Sequence, residues 1–261
     1  MHDYPDIKKV CEIALQAGEK VLSIYHKDYE ISLKEDRSPL TEADLLSNEV
    51  IIAALKKLTP DVPILSEESK MVSYEIRKSW EHFWLVDPID GTKDFIKKTG
   101  DFTINIALVH TDLATGVGRP VLGVVYAPAH GRLYFGDENG AFITEEGQTR
   151  KISPRTPNDV AHVVASRFHL SPETQEFVDN LKKEFKEVEL VETGSSLKLC
   201  LVAEGRADFY PRFGPTMEWD TAAAHAVVIF SGADIKQAPS GEELVYNKEN
   251  LLNPWFIVQG K

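Results

Sequence analysis

Trp84-Leu-Val-Asp87-Pro-Ile-Asp90-Gly-Thr92-Lys-Asp94-Phe95 joins an apolar run to closely spaced carboxylates, a proline and a glycine. The run predicts a strand over Phe83 to Val86 that delivers Asp87 to its carboxyl end. Pro88 is expected to stop that strand, and Gly91 permits a tight turn before a short helix beginning at Thr92. Two carboxylates three residues apart with a carbonyl between them suit a hard divalent cation, which takes oxygen ligands. Free N–H groups at the helix start suit a phosphate. Together they point to metal-assisted phosphate chemistry. By spacing alone the segment fits an ordinary turn equally well, because Asp, Pro and Gly are what turns contain.

Two other acidic positions shift that balance. Glu67-Glu68 follows the apolar segment Val62-Pro-Ile-Leu65 and Ser66, so it also reads as a strand-end pair. Asp220 opens the small-residue run Asp220-Thr-Ala-Ala-Ala224, where its charge favours the start of a helix. Three distant segments thus offer carboxylates, as a two-metal site requires.

Outward from the site, Ile7, Val10, Cys11, Ala14, Leu15, Gly18, Val21, Leu22 and Tyr25 recur at the spacing of one helical face. A second helix is expected after Pro39, with Thr41 and Asp44 as a capping box and an end near Thr59-Pro60. Short β-rich runs follow: Thr103 to Val109, Val121 to Tyr126, Arg132 to Phe135 and Ala141 to Ile143. The polar stretch from Glu145 to Asn158 reads as a boundary. Beyond it strands and helices alternate: strands at Val160–Ala165, Val188–Val191, Ala207–Tyr210 and Trp255–Val258, helices at Pro172–Phe185, Ser195–Ala203 and Thr221–Ser231. The expected class is α/β with an α+β N-terminal part, residues 1–153, and an α/β part, residues 154–261.

The chain has 261 residues, of which 43% are hydrophobic, with 41 acidic against 29 basic side chains and a net charge of −12. Both halves are acidic, and no basic-aromatic run interrupts them, so nucleic acid is not an expected partner. An anionic substrate would need bound cations to draw it in. The two cysteines, Cys11 and Cys200, share no metal or redox spacing and suit a reducing cytoplasm. The first residues mix charges too often for a signal peptide, and no eighteen-residue apolar run occurs. A soluble cytoplasmic protein is expected, at most peripheral at the inner membrane, as monomer or homodimer. The eight histidines show no paired zinc spacing. Trp80, Trp84, Trp219, Trp255, Phe135 and Phe142 read as packing residues.

Asp87-Pro-Ile-Asp-Gly-Thr92, Trp219-Asp-Thr-Ala-Ala223 and the upstream Glu67-Glu68 stand in the order seen in the inositol monophosphatase superfamily, and the chain resembles that superfamily over nearly its whole length. Ser38-Pro-Leu-Thr-Glu-Ala-Asp44, Lys93-Asp94-Phe95 and the run from Gly194 through Asp220 most resemble its 3'(2'),5'-bisphosphate nucleotidases of the bacterial CysQ type. The resemblance implies a layered αβαβα fold and a magnesium-dependent, lithium-sensitive phosphatase with two or three Mg2+ ions. It implies metal ligation by Glu67, Asp87, the Ile89 carbonyl, Asp90 and Asp220, and N–H groups of Gly91 and Thr92 facing the phosphate. Glu67 and the Thr92 hydroxyl would position the attacking water and take its proton, with Asp44 orienting Thr92.

Substrate choice rests on fewer residues. Gly194, Ser196 and Lys198 would present a helix start and an ammonium to an anion, and Arg212 a planar partner for phosphate or adenine. The alternative is that Ser195 caps the helix and Lys198 is solvated. Lys93-Asp94 stands where inositol monophosphatases carry Thr-Asn, which favours a phosphorylated nucleotide, adenosine 3',5'-bisphosphate, released as AMP and phosphate in sulfur metabolism. The competing readings are an inositol or sugar-phosphate phosphatase and a non-catalytic divalent-cation or nucleotide-binding protein.

Overall fold

The apolar stripe that begins at Ile7 forms α1 (Ile7–Tyr25), started by Asp6, whose side chain accepts the Lys8 N–H at 3.0 Å. The computed structural model describes residues 4–27, 31–33, 39–165 and 170–260; His2, Ser38 and His169 lie outside the described residues. A two-stranded ribbon, β1 (Ile31–Leu33) and β2 (Pro39–Thr41), leads into α2 (Glu42–Leu58). The first large sheet is built from β3 (Ile64–Ser66), β4 (His82–Asp90), β5 (Thr103–Asp112), β6 (Val117–Ala127), β7 (Arg132–Asp137), β8 (Gly140–Glu145) and β9 (Gln148–Lys151), with the short helices α3 (Tyr74–Arg77) and α4 (Thr92–Ile96) on either side of β4 in sequence. The seven strands lie in sequence order; β3 and β4 are parallel and every later pair is antiparallel.

After β9 come β10 (Val160–Ala165), α5 (Pro172–Leu181), β11 (Glu187–Glu192), α6 (Leu197–Ala203), β12 (Phe209–Arg212), α7 (Glu218–Ser231), β13 (Asp234–Gln237) and β14 (Phe256–Gln259). Their strands form a five-stranded sheet in the order β11-β10-β12-β14-β13, parallel around β10 and antiparallel around β14.

Side-chain alternation along β4 explains the layering. Trp84 and Val86 join α1 and α2 residues such as Val10, Ala14, Ile51 and Leu55 in one core. Phe83 and Leu85 point the other way, into a second core with Ala222, Ala223 and Val227 of α7, which continues to Phe256 and Val258 of the smaller sheet. A small third cluster, Val163, Val178 and Leu181, seats α5 on the far face. The layers are therefore α1/α2, seven-stranded sheet, α6/α7, five-stranded sheet and α5, the expected αβαβα order.

The two sheet-facing glycines Gly123 and Gly136 let α7 lie close to β6 and β7. A Cβ at Gly123 would stand 2.2 Å from the Ala223 carbonyl oxygen, and one at Gly136 3.0 Å from Val227 Cα. The backbone of α7 thus occupies space that any side chain would fill.

Several local expectations are corrected. Pro88 does not end β4, which runs to Asp90: the register shifts between the pairs Asp87↔Asn105 and Asp90↔Thr103, and this bulge leaves the proline, which has no N–H, out of the ladder. The polar Glu145–Asn158 stretch holds the β8–β9 turn and the exposed strand β9, whose alternation is invisible because none of its side chains is buried. The α6 helix begins at Leu197 and not Ser195, since Ser195 takes a left-handed backbone with φ 48°. Strand β13 escaped notice because only Ile235 of its four residues is buried. The packing expected of Trp255 is a contact at the surface: it is 44% exposed and edge-on to Phe213 at 5.6 Å. Among the described residues, no helix is long and apolar enough to cross a membrane.

Candidate active site

The site forms where the ends of β3 and β4 meet the start of α7. Glu67 follows β3, its N–H bonded to the Val86 carbonyl at 3.1 Å, and the neighbouring Ser66 hydroxyl donates to Asn48 of α2 at 2.7 Å. Asp87 sits inside the sheet, 1% exposed, and its Oδ1 accepts the Ile89 N–H at 3.0 Å across the proline. The Ser47 hydroxyl donates to the Pro88 carbonyl at 2.9 Å, so the bulge is held from α2 as well. Asp220 lies in the first turn of α7, where its Oδ2 accepts the Met217 N–H at 2.9 Å. A buried clamp steadies that turn: Glu218 accepts the N–H groups of Asn247 and Lys248 at 2.8 and 3.0 Å and the Lys248 ammonium at 2.6 Å.

These elements bring carboxylate oxygens of Glu67, Asp87 and Asp220 within 4.8 Å of one another. Asp90 lies outside that triple but lines the same cavity of about 600 Å3 together with Glu67, Gly91, Thr92 and Asp220. Burial first, then the carboxylates of Glu67, Asp90, Asp220 and Asp44, pushes Asp87 well above the usual carboxylate range. Burial, then Asp90, raises Asp220 to about 8. Asp90 is raised to about 6 by burial, with Lys198 pulling the other way. Like charges crowded at low dielectric either hold protons or hold a cation. Oxygen-only donors fit a hard ion such as Mg2+ and not zinc.

Beside the acids, Asp44 divides its two oxygens. Oδ2 accepts both the N–H and the hydroxyl of Thr41, at 2.8 and 2.6 Å, which is the predicted capping box. Oδ1 accepts the Thr92 hydroxyl at 3.2 Å. A hydroxyl whose proton points at a buried carboxylate offers its lone pairs to the cavity, so Thr92 is set to accept a hydrogen bond from a water there. Gly91, with φ 90°, precedes α4; a Cβ there would lie 3.0 Å from the Asp101 carbonyl oxygen and 3.3 Å from Ser195 Cβ.

The same cavity also carries basic side chains. Lys198 and Arg212 line the cavity, with Lys93 and Lys97 on the α4 side, and Lys198 is 9% exposed rather than solvated. Ser196 also lines it, whereas the Gly194 N–H, expected to face an anion, instead donates to Asp101 Oδ2 at 3.0 Å. Sequence reasoning missed Tyr210, Thr216 and Thr221, which complete the wall. Tyr210 was legible in principle, two positions before Arg212 on the same face of β12.

Comparison with known proteins agrees with this geometry. The model of the inositol monophosphatase family matches residues 4–254. The chain is 44% identical over 255 residues to the 3'(2'),5'-bisphosphate nucleotidase CysQ of Salmonella typhimurium, covering 97% of this chain and 98% of that protein. The corresponding Buchnera aphidicola protein is 39% identical over 256 residues, covering 97% and 91%. Among solved structures, CysQ from Bacteroides thetaiotaomicron superposes with a TM-score of 0.85 at 46% identity, covering 98% of this chain and 97% of that one. The Bartonella henselae suhB protein shares the fold at a TM-score of 0.76, 24% identity, covering 97% and 93%. With nearly every residue spanned by the family model and by these relatives, the chain belongs to the inositol monophosphatase family.

Proposed function

We propose that this chain is a magnesium-dependent 3'(2'),5'-bisphosphate nucleotidase that hydrolyses adenosine 3',5'-bisphosphate to AMP and phosphate. One observation carries the reading: a single cavity is lined by the carboxylates Glu67, Asp90 and Asp220 beside Thr92, with Asp87 buried against Glu67 and Asp220, and by the cations Lys198 and Arg212. A substrate with two phosphates uses both, the reacting one at the acids and the retained one at the bases. The full-length similarity to CysQ nucleotidases supports the same substrate.

In this reading Glu67, Asp87, the Ile89 carbonyl, Asp90 and Asp220 would hold two or three Mg2+ ions. Bound magnesium supplies positive charge that lowers the pKa of a water and offsets charge growing on the phosphate and leaving oxygen. Thr92 and Glu67 would orient that water, whose proton would pass to Glu67, or to Thr92 Oγ1 as the Thr92 proton moves to Asp44 Oδ1. The N–H groups of Gly91 and Thr92 face the phosphate oxygens. Ser196, Lys198 and Arg212 bind the rest of the nucleotide, with Gly194 shaping their loop. Residues 1–153 contribute most ligands and residues 154–261 contribute Asp220 and the substrate side, so the reaction sits at their junction. No residue need form a covalent phosphoenzyme; both cysteines are buried, and burial pushes each thiol up. Two free thiols suit a reducing cytoplasm.

The test is phosphate release from adenosine 3',5'-bisphosphate, inositol 1-phosphate and fructose 1,6-bisphosphate, with Mg2+, with EDTA and with added Li+. Preference for the nucleotide, loss with EDTA and inhibition by Li+ are expected. Faster release from inositol 1-phosphate would overturn the substrate, and turnover in EDTA the mechanism.

A further inference from the structure

Strand β5 faces two ways at once. Its Asn105 and Thr103 are the cross-strand partners of Asp87 and Asp90. Their side chains, 1% and 0% exposed, reach instead to Ser196 in the loop before α6. The Ser196 hydroxyl donates to Asn105 Oδ1 at 2.7 Å, the Asn105 amide donates to Thr103 Oγ1 at 3.2 Å, and Thr103 and Ser196 hydroxyls lie 2.8 Å apart. With the other two bonds so directed, the Thr103 proton goes to Ser196, and the ring of three hydrogen bonds closes.

The other end of the loop is held by Asp101, just before β5. Asp101, 5% exposed, accepts the Gly194 N–H with Oδ2, while Oδ1 faces His130 Nε2 at 3.0 Å. Gly194 is pressed so close that a Cβ would stand 2.9 Å from Asp101 Cβ and from Asp94 Oδ2. Between the two anchors Ser195 adopts its left-handed backbone and packs over Gly91.

We propose that Asp101, Thr103 and Asn105 are positioning residues that register the Gly194–Ser196 loop against the strand carrying Asp87 and Asp90. The inference rests on the reading of that loop as the substrate side of the cavity. One short stretch of β5 sets the distance between the carboxylates and the nucleotide: its backbone fixes the first and its side chains the second. Losing an anchor leaves buried polar groups unpaired and lets the loop drift, which weakens substrate binding more than it alters the reacting groups.

The experiment compares Asp101→Ala, Asp101→Asn, Asn105→Ala, Ser196→Ala, the Asn105/Ser196 double variant and Gly194→Ala in the full chain. KM and kcat for adenosine 3',5'-bisphosphate, half-saturating Mg2+ and thermal unfolding are measured for each. Asp101→Ala and Asn105→Ala are expected to raise KM roughly tenfold, within the range for outer-shell partners, with kcat and Mg2+ requirement far less changed. Asp101→Asn, which can still accept the Gly194 N–H, restores most of the loss. Asn105→Ala and Ser196→Ala are not additive, because either one breaks the same ring. If Gly194→Ala raises KM but the Asp101 and Asn105 variants do not, the loop reading stands and the anchoring role fails. If Gly194→Ala leaves KM unchanged too, the loop does not meet the substrate and both fail. A fall in kcat with a rise in KM and non-cooperative unfolding, unrelieved in Asp101→Asn, would reduce these residues to a structural role.

Discussion

Gly123→Ala tests whether the seating of α7 on the sheet fixes the acidic site. The new Cβ would stand 2.2 Å from the Ala223 carbonyl oxygen and 2.7 Å from Ala226 Cβ. Ordinary contacts begin near 3.4 Å, so the helix must retreat by about 1 Å, since backbone cannot rotate aside as a side chain would. Overpacking of this kind costs about 1–3 kcal/mol. For a domain of this size that lowers Tm by roughly 2–4 °C per kcal/mol. The larger effect falls on Asp220, one turn before Ala223 on the same helix. Metal ligands tolerate displacements of only about 0.2 Å, so half-activation should require at least roughly tenfold more Mg2+, in line with the loss of a supporting contact. The assay is a Mg2+ titration of phosphate release from adenosine 3',5'-bisphosphate beside a thermal melt. Gly116→Ala is the control: nothing lies within 4 Å of its Cβ, and only its φ of 74° is strained. It should cost about 1 kcal/mol and leave the Mg2+ requirement alone. A Gly123→Ala protein with wild-type Mg2+ activation would refute the proposition that the glycine sets the position of Asp220.

Asp90→Asn should nearly abolish turnover while unfolding stays cooperative; wild-type-like activity would remove Asp90 from the essential ligands. Asp44→Ala should lower kcat about 10–100-fold through Thr92 and cost about 1 kcal/mol as a lost cap, measured by turnover and by denaturant titration. His225 is buried against the Tyr246 hydroxyl at 2.8 Å, and burial holds its pKa down at about 3, against an ordinary 6.5. Stability from this group is therefore complete above pH 6.5 and is lost as pH falls toward 3; by pH 5 the loss is about 2 kcal/mol. His225→Gln should flatten that part of the stability–pH curve measured by denaturant unfolding. Saturating Mg2+ at 100 times its Kd should add about 2.7 kcal/mol of stability, because it relieves the repulsion around Asp87; an unchanged Tm with Mg2+ would contradict binding at the three carboxylates.

Periodicity located α1 and α2 because each buries one stripe, and apolar runs located the central strands of the large sheet because those strands are buried on both faces. The same signal fails for β9, which buries nothing, and for β13, where one buried residue carries no period. Strand ends rich in Asp, Glu and Gly made the acids of the site readable as types. Their convergence was not readable locally, since it depends on α7 crossing from the far part of the chain to the face of the first sheet, a contact carried by Gly123, Gly136 and alanines. Pro88 misled for a chemical reason: a proline normally ends pairing, and here a bulge absorbs it. The Gly194 N–H misled similarly, because nothing in the segment around it announces Asp101 as its acceptor.

The placement of α7 also sets a schedule for synthesis. All seven strands of the first sheet have been made by Lys151, yet the helix that covers one face of that sheet ends only at Ser231. At about 5–20 residues per second, the nascent chain carries an open apolar face for several seconds, a natural point for chaperone engagement. Because Asp220 travels on that same helix, the last carboxylate arrives together with the cover. A chain halted before it lacks Asp220, and with it the complete carboxylate set.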